Sequence, residues 1–521
     1  MPSLNSIGQR LVAGLTHAKY VDDETRRRVA RAEKVNVVGA GGVLTAAYEQ
    51  LRNAAENTEE HLLLQNAIRR FYKRLFIMRD EALVRRSGGE LVVELTLAGY
   101  IPNDSLLDGD LDGISKLAID HYQMYEKLQK RRSISLDTST KWILDTLSVG
   151  VARLISPHAT DDVFVDFAYQ YLDKLSQSSS KKKENTDTHS AALFAAIHKA
   201  LLKSDTATIR TDLLARYGIA VNMNDQYVTY NKLIDKMLES AEADRLYHLA
   251  NRQGAPLRIV RRMIESRADV IDLLPRRETF LEAFEQQVAQ EYSHIIHRVN
   301  RAIVRSVIFL VITKFLIGVA IEVPYDLWVH KEILWWPLII NLLFPPLYMV
   351  ALRLTLNLPG YANTTALVGR IDSILYGSSS VLCKQQSTQR RYGPVFSIMY
   401  IIFGLAVFSG VTWLLLMMGF ALVHIGIFFM FISAASFLGF RLSRLIRELE
   451  VVRGASNGFT VLRDFIYLPF VVVGRWMSDK YAQVNIVSLV LDMLIELPLK
   501  TVLRLIRQWS AFIDDRKDNI S

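Results

Sequence analysis

The chain has 521 residues, with 62 Lys+Arg against 53 Asp+Glu, one cysteine and 50% apolar residues, and a mean hydropathy of +0.16. The lone Cys383 excludes a disulfide framework and any zinc or iron–sulfur site built on cysteines. That hydropathy is high for a soluble protein and low for one embedded throughout, so a large aqueous part joined to a smaller lipid part is expected.

Charge is distributed unevenly. Residues 1–302 hold 42 Lys+Arg and 40 Asp+Glu, residues 303–440 hold 8 and 4, and residues 441–521 hold 12 and 9. A nucleic-acid binder carries its basic excess on the soluble domain. Here the excess lies beside the apolar runs, so the lipid bilayer is the expected partner and nucleic acid is not. Met1–Tyr20 contains no apolar run of signal-peptide length. The first insertion signal is therefore expected some three hundred residues in, with everything before it on the cytoplasmic side.

Gly39-Ala40-Gly41-Gly42 lacks both the GxGxxG spacing and a Walker lysine, so it reads as a flexible helix entry. Leu64, Ile68, Phe71, Leu75 and Met78 are spaced by fours and threes, the stripe of a packing or coiled-coil helix. Its opposite face carries Arg69, Arg70, Lys73 and Arg74. Leu91–Leu97 is the one weak strand candidate.

Asp108, Asp110 and Asp112, followed by Gly113, match the opening of a calcium loop. The twelfth position, which should supply a bidentate Glu, is Ile119. Two readings stand: a calcium site on those three carboxylates, or an acidic turn whose Asp112 caps a helix from Ile114. No other cofactor is implied. Residues 176–190 are Ser-rich and polar, a linker between two helical lobes at 1–175 and 191–302. Glu291, His294 and His297 share a helix face, but no second Glu-x-x-His accompanies them for a di-iron site. No catalytic motif appears, which argues against an enzyme.

From Thr279 the pattern stays helical into the first apolar run, so one continuous helix is expected to enter the bilayer. A bilayer core needs about 20 helical residues. Spans are expected at about 303–323, 333–352, 396–416 and 420–440, the last two joined at Met417-Met418-Gly419-Phe420. Arg298 and Arg301 precede the first span; Arg441, Arg444 and Arg447 follow the fourth. Counting cations on the flanks places both termini in the cytoplasm, with these arginines at the inner leaflet and Trp328, Trp335 and Trp336 at the outer surface.

Lys314 is the one formal charge deep in a span; Glu322, just before the outer loop at 324–332, counts with the acids of that loop, so Lys314 is expected to lack an acidic partner. Asn341, Pro345 and Pro346 interrupt the second span, as a kinked packing helix or a broken, cavity-lining one. Ala406 with Gly410 and Ala435 with Gly439 place small residues one turn apart for close helix packing. Phe459–Gly474 is apolar but too short and interrupted to span, so it reads as interfacial, re-entrant or packed on the bundle. An amphipathic stripe follows at Asp492, Glu496, Lys500 and Arg504, making 441–521 a tail at the inner face.

The fold class is therefore mainly α: a polytopic α-helical membrane protein with four transmembrane helices at 303–440 and a large N-terminal helical cytoplasmic domain. The expected function is a non-enzymatic cell-membrane scaffold or sensor, its cytoplasmic domain binding a protein partner or the inner leaflet and its spans forming a homo-oligomer. The alternative is an oligomeric ion channel that uses Lys314 and the Pro345-Pro346 break.

Overall fold

A computed structural model of the chain describes all residues except 1–3, 32–33, 38–45, 47–48, 51–52, 54–61, 132–133, 158, 180–185, 355–358, 378–393, 453–457 and 485–521. The described residues are mostly helical, and the one extended pairing among them is an isolated bridge between Lys34 and Leu107. Four helices are long and apolar enough to cross a membrane. The chain divides into two compact units, one within Met1–Gly254 and one formed by Ala255–Asn485. The glycine run at 39–42 and the amphipathic stripe at 492–504 lie outside the described residues or largely so.

The first unit contains α1 (Ser6–Arg31), α2 (Leu63–Met78), α3 (Glu81–Arg85), α4 (Ser87–Leu97), α5 (Asp108–Gln129), α6 (Leu136–Ile155), α7 (Ala159–Ser179), α8 (Thr186–Ile197), α9 (Thr206–Arg216), α10 (Asn224–Leu238) and α11 (Ala241–Gln253). The stripe on α2 packs as its spacing demands, with Ile68, Phe71 and Leu75 buried and only Met78 left exposed. Its charged face is taken up in ion pairs: Arg69 to Asp145 and Asp205, Arg70 to Glu49, Arg74 to Glu94.

Leu91–Leu97 is helix, not strand. Leu91, Val92 and Leu95 share one buried helical face, and α4 lies so close to α5 that a Cβ on Gly88 would meet the Leu111 carbonyl at 2.2 Å. Packing on α2 and α5 overrides the weak β preference of the valines. The expected linker at 176–190 begins inside α7 and ends inside α8, and the two helix ends are joined by bonds from Ser176 to His189 (3.1 Å) and Tyr169 to Ser190 (2.9 Å).

A buried ionic network holds the core of this unit. Arg210, 1% exposed, donates to Asn231 (2.9 Å) and Asp235 (2.5 Å) and sits 3.4 Å from Asp145. The Trp142 indole donates to the other oxygen of Asp235 at 2.9 Å. A guanidinium is tolerated at this depth because the network supplies its counter-charges.

The second unit contains α12 (Ala255–Ser266), α13 (Val270–Leu273), α14 (Arg277–Ile317), α15 (Val323–Val329), α16 (Trp335–Leu354), α17 (Tyr361–Leu375), α18 (Pro394–Met417), α19 (Leu422–Arg447) and α20 (Gly458–Val484). A wide π turn, Gly318–Glu322, joins α14 to α15, so a helical run of 53 residues extends from Arg277 to Val329. The expected outer loop at 324–332 is thus helical as far as Val329. The hairpin between α18 and α19 turns where expected, with Gly419 at φ +83, a conformation that favours glycine.

Titration in the first unit is set by burial. His121, 4% exposed, donates from Nδ1 to the Leu117 carbonyl (2.8 Å), and burial pushes its pKa down to about 4. Burial pushes Asp212, paired with Arg153, up to about 6. The signs oppose. His121 contributes stability at neutral pH that is lost as pH falls from 6.5 towards 4, whereas Asp212 gains stability as pH falls through 6. The His121 contribution amounts to about 3 kcal/mol. Replacing His121→Gln should remove that acid loss, so the thermal midpoint in detergent falls less between pH 7 and pH 4 than in the parent chain. An unchanged acid profile would show that His121 is not the responsible group.

Candidate functional site

Two helices of the second unit set up its polar centre. Eight residues along a straight α-helix rotate a side chain about 80° past its starting face. The π turn holds one residue more than an α turn and turns the face back by about 100°. Glu322 thereby returns to the face of Lys314, and the Lys314 ammonium donates to Glu322 Oε1. Both residues are 1% exposed. The expectation that Lys314 has no acidic partner is corrected: the partner stands on its own helix, two turns on.

The pair belongs to a larger buried cluster. Asn341, on α16, donates from Nδ2 to Glu322 Oε1 (3.1 Å) and to the His424 carbonyl of α19 (3.2 Å). The Phe431 ring of α19 lies 5.2 Å from the Lys314 nitrogen, within reach of a cation–π contact. Asp326, on α15, accepts from the Leu334 N–H through Oδ2 (3.1 Å), which secures the short turn after Val329. Its Oδ1 lies 3.5 Å from His424 Nε2. Asp326, Asn341 and His424 are each 0% exposed.

Several atoms of this cluster make no hydrogen bond: Glu322 Oε2, Asp326 Oδ1, Asn341 Oδ1, both His424 ring nitrogens and the nearby Ser433 hydroxyl. Buried polar atoms are almost always paired, so this concentration marks the cluster as the candidate site. Charge gives a second reason. Lys314 faces Glu322, which leaves Asp326 with only the His424 ring opposite it. No group of three or more His, Cys, Asp or Glu ready to hold a metal occurs among the described residues.

The remaining sequence-derived residues fall as follows. Pro345 and Pro346 are buried inside α16, which runs as one helix from Trp335 to Leu354. Ala435 is fully buried, and a Cβ on Gly439 would meet Leu352 at 2.7 Å, so this pair brings α16 against α19. Ala406 and Gly410 face outwards, and nothing lies within 4 Å of a Cβ placed on Gly410. Arg298, Arg301, Arg441, Arg444 and Arg447 are all exposed. They gather at one end of the bundle, where Val299 and Ile446 share a core cluster and Arg353 donates to Asn300 (2.6 Å). Asp108, Asp110 and Asp112 lie in the first two turns of α5, which starts nearly two turns earlier than expected. Alternate carboxylates on a helix point about 200° apart, and Asp110 caps the helix by accepting from the Leu107 N–H (3.0 Å). Asp326 and His424 carried no motif; only burial on facing helices brings them together.

No family model, no curated protein and no solved structure matches this chain.

The ion pair can be tested by charge removal. Breaking a buried pair from one side typically costs 3–5 kcal/mol, because the other charge is left unpaired. Lys314→Met and Glu322→Gln should each lower the thermal midpoint in detergent, and Lys314→Met/Glu322→Gln together should lie closer to the parent than either single variant. Strictly additive losses would mean the two groups do not interact.

Proposed function

We propose that this chain is a non-enzymatic, multi-pass protein of the cell membrane that acts as a sensor or scaffold. Its helical domain before the first span lies in the cytoplasm and binds a protein partner or the inner leaflet. The arginine-rich ends at Arg298–Arg301 and Arg441–Arg447 support the cytoplasmic orientation, and the exposed Trp328, Trp335 and Trp336 at the other end support an outer aromatic belt. The open face around Ala406 and Gly410 leaves room for a second copy of the chain.

The observation that carries the sensor reading is the course of α14. One helix bears Lys314 of the buried cluster and, about 33 Å earlier, Tyr292. Tyr292 accepts from Asn363 of α17 (2.8 Å). Asn363 also donates to the Leu449 carbonyl (2.9 Å) and accepts from the Val451 and Val452 N–H groups (2.7 and 3.0 Å). Farther down, Arg277 makes a two-pronged bond to Asp372 of α17 (2.7 and 2.8 Å). A change in the charge of the cluster would therefore act on a rigid strut whose other half is clasped to α17 and to the turn after α19. The pore reading has less support, because Lys314 points into a packed contact with Glu322 and Phe431.

Hydrogen exchange gives the test. Glu322→Gln should alter amide protection in Tyr361–Leu375 and in residues 448–452, while α6 of the first unit stays unchanged. If protection changes only around residues 314–341, the helix is a tether and the sensor reading fails. Selective ion flux in liposomes that Lys314→Glu reverses would put the channel in its place.

A further inference from the structure

The 27 residues of α20 contain Arg463, Asp464, Arg475, Asp479 and Lys480. Only Phe465–Gly474 is free of charge, ten residues or about 15 Å of helix. Hydropathy therefore gives no span here. Packing gives a different answer.

Along α19, α20 runs in the opposite direction. The Tyr467 hydroxyl donates to the Ser436 carbonyl (3.1 Å), and seven residues later a Cβ on Gly474 would meet the Ser433 carbonyl at 2.2 Å. That second approach is so close that only glycine fits. Along α18, α20 runs in the same direction. Phe465 packs edge-on to Phe403 (4.9 Å), Pro469 lies 3.8 Å from the Cβ position of Gly404, and Phe470 meets Phe408 at 5.0 Å. The Phe470 ring also stacks on Phe429 of α19 at 6.2 Å.

These contacts fix the depth of α20. Gly404 and Phe408 stand near the middle of α18, and Phe429 to Ser436 stand near the middle of α19. Phe470 is therefore level with the centre of the hairpin that α18 and α19 form. Ten residues beyond it, Lys480 lies about 15 Å farther on, half the thickness of a bilayer core. The helix as a whole is about 40 Å long, matching α19. We infer that α20 crosses the membrane as a fifth span, antiparallel to α19, so that the chain at Val484 emerges on the face of Gly419 and Trp328, opposite Arg441–Arg447.

The side chains agree with a lipid-facing helix. Phe465, Ile466, Val472 and Trp476 are exposed, continuing the apolar outer surface of α18, and hydrocarbon is the occupant of that face. Arg475 lies about 8 Å from the centre, and its long stem can carry the guanidinium to the headgroups. Asp479, one turn on, stands 3.7 Å from it as a partner. A cytoplasmic position for the residues around 480, expected from the cation count, is replaced by an outer one.

The inference rests on the membrane reading of the four apolar helices, and one experiment separates the two. In a Cys383→Ser background, single cysteines are placed as His330→Cys, Val452→Cys and Lys480→Cys, and sealed vesicles of one orientation are treated with a membrane-impermeant maleimide. Lys480→Cys should label together with His330→Cys, and Val452→Cys only after detergent opens the vesicles, or the reverse set in vesicles of opposite orientation. Labelling of Lys480→Cys together with Val452→Cys, or only after detergent in both orientations, overturns the fifth span. Labelling of His330→Cys and Val452→Cys from one and the same side overturns the four-span reading itself.

Discussion

Two opposite charges held out of water inside the helix bundle constrain the second unit more than any other contact. An ammonium or carboxylate in hydrocarbon is costly alone and tolerable only when paired and further hydrogen-bonded. Lys314 and Glu322 meet this requirement on a single helix, and the π turn at Gly318–Glu322 is the local distortion that makes it geometrically open to them. The pair then fixes the rotation of α14, because its polar face must look towards Asn341 of α16 and Phe431 of α19. With that rotation set, Phe280 and Phe284 on the lower half are buried in the same unit as α17, and Arg277 reaches Asp372.

The two units solve the problem of buried charge differently. In the first, Arg210 is surrounded by Asp145, Asp235 and Asn231, and Arg69 adds a second cation to Asp145. Arg69 Nε, Asp145 Oδ2 and Arg210 Nε make no hydrogen bond there, but each of these side chains has an oppositely charged neighbour. In the second unit the cluster around Asp326 and His424 leaves several atoms unpaired at zero exposure. The two networks differ in their ion pairs: each charge of the first faces an opposite charge within 3.4 Å, whereas Asp326 faces only the His424 ring at 3.5 Å.

Much of this architecture was legible in the sequence, and the failures share a cause. Long apolar runs marked the four helices long and apolar enough to cross a membrane, and the uncharged stretch 396–440 required a turn near Gly419. Helical spacing from Thr279 onward gave the strut. Glu322 was counted with the outer loop's acids because a hydropathy run treats a charge as the end of a span, and no one-dimensional pattern announces a π turn. Leu91–Leu97 misled because Leu91, Val93, Leu95 and Leu97 alternate as in a strand until two neighbouring helices claim the segment. Small residues one turn apart mark a surface where close packing is feasible but not whether it is used: Ala435 and Gly439 face α16, while Ala406 and Gly410 face outwards. Asp326 and His424 are nearly a hundred residues apart and meet only through tertiary packing.

The burial of the spans themselves bears on how the bundle is closed. In α19, 56% of the apolar window is buried, against 6% in α18. The helix α19 is therefore the hub: α16 approaches it through Gly439 and through the Tyr348–Ser436 bond (2.9 Å), and α14 through the Lys314 contact with Phe431. In contrast, α18 stands at the edge, and Phe470 of α20 fills the angle between Phe408 and Phe429. Helices in lipid gain little from hydrophobicity and associate through packing. A helix as open as α18 needs a neighbour at its own depth, and among the described helices α20 is the one whose aromatic face meets it at Phe403 and Phe408. The charges that hide α20 from hydropathy lie at the two ends of that face, where a crossing helix can carry them towards water.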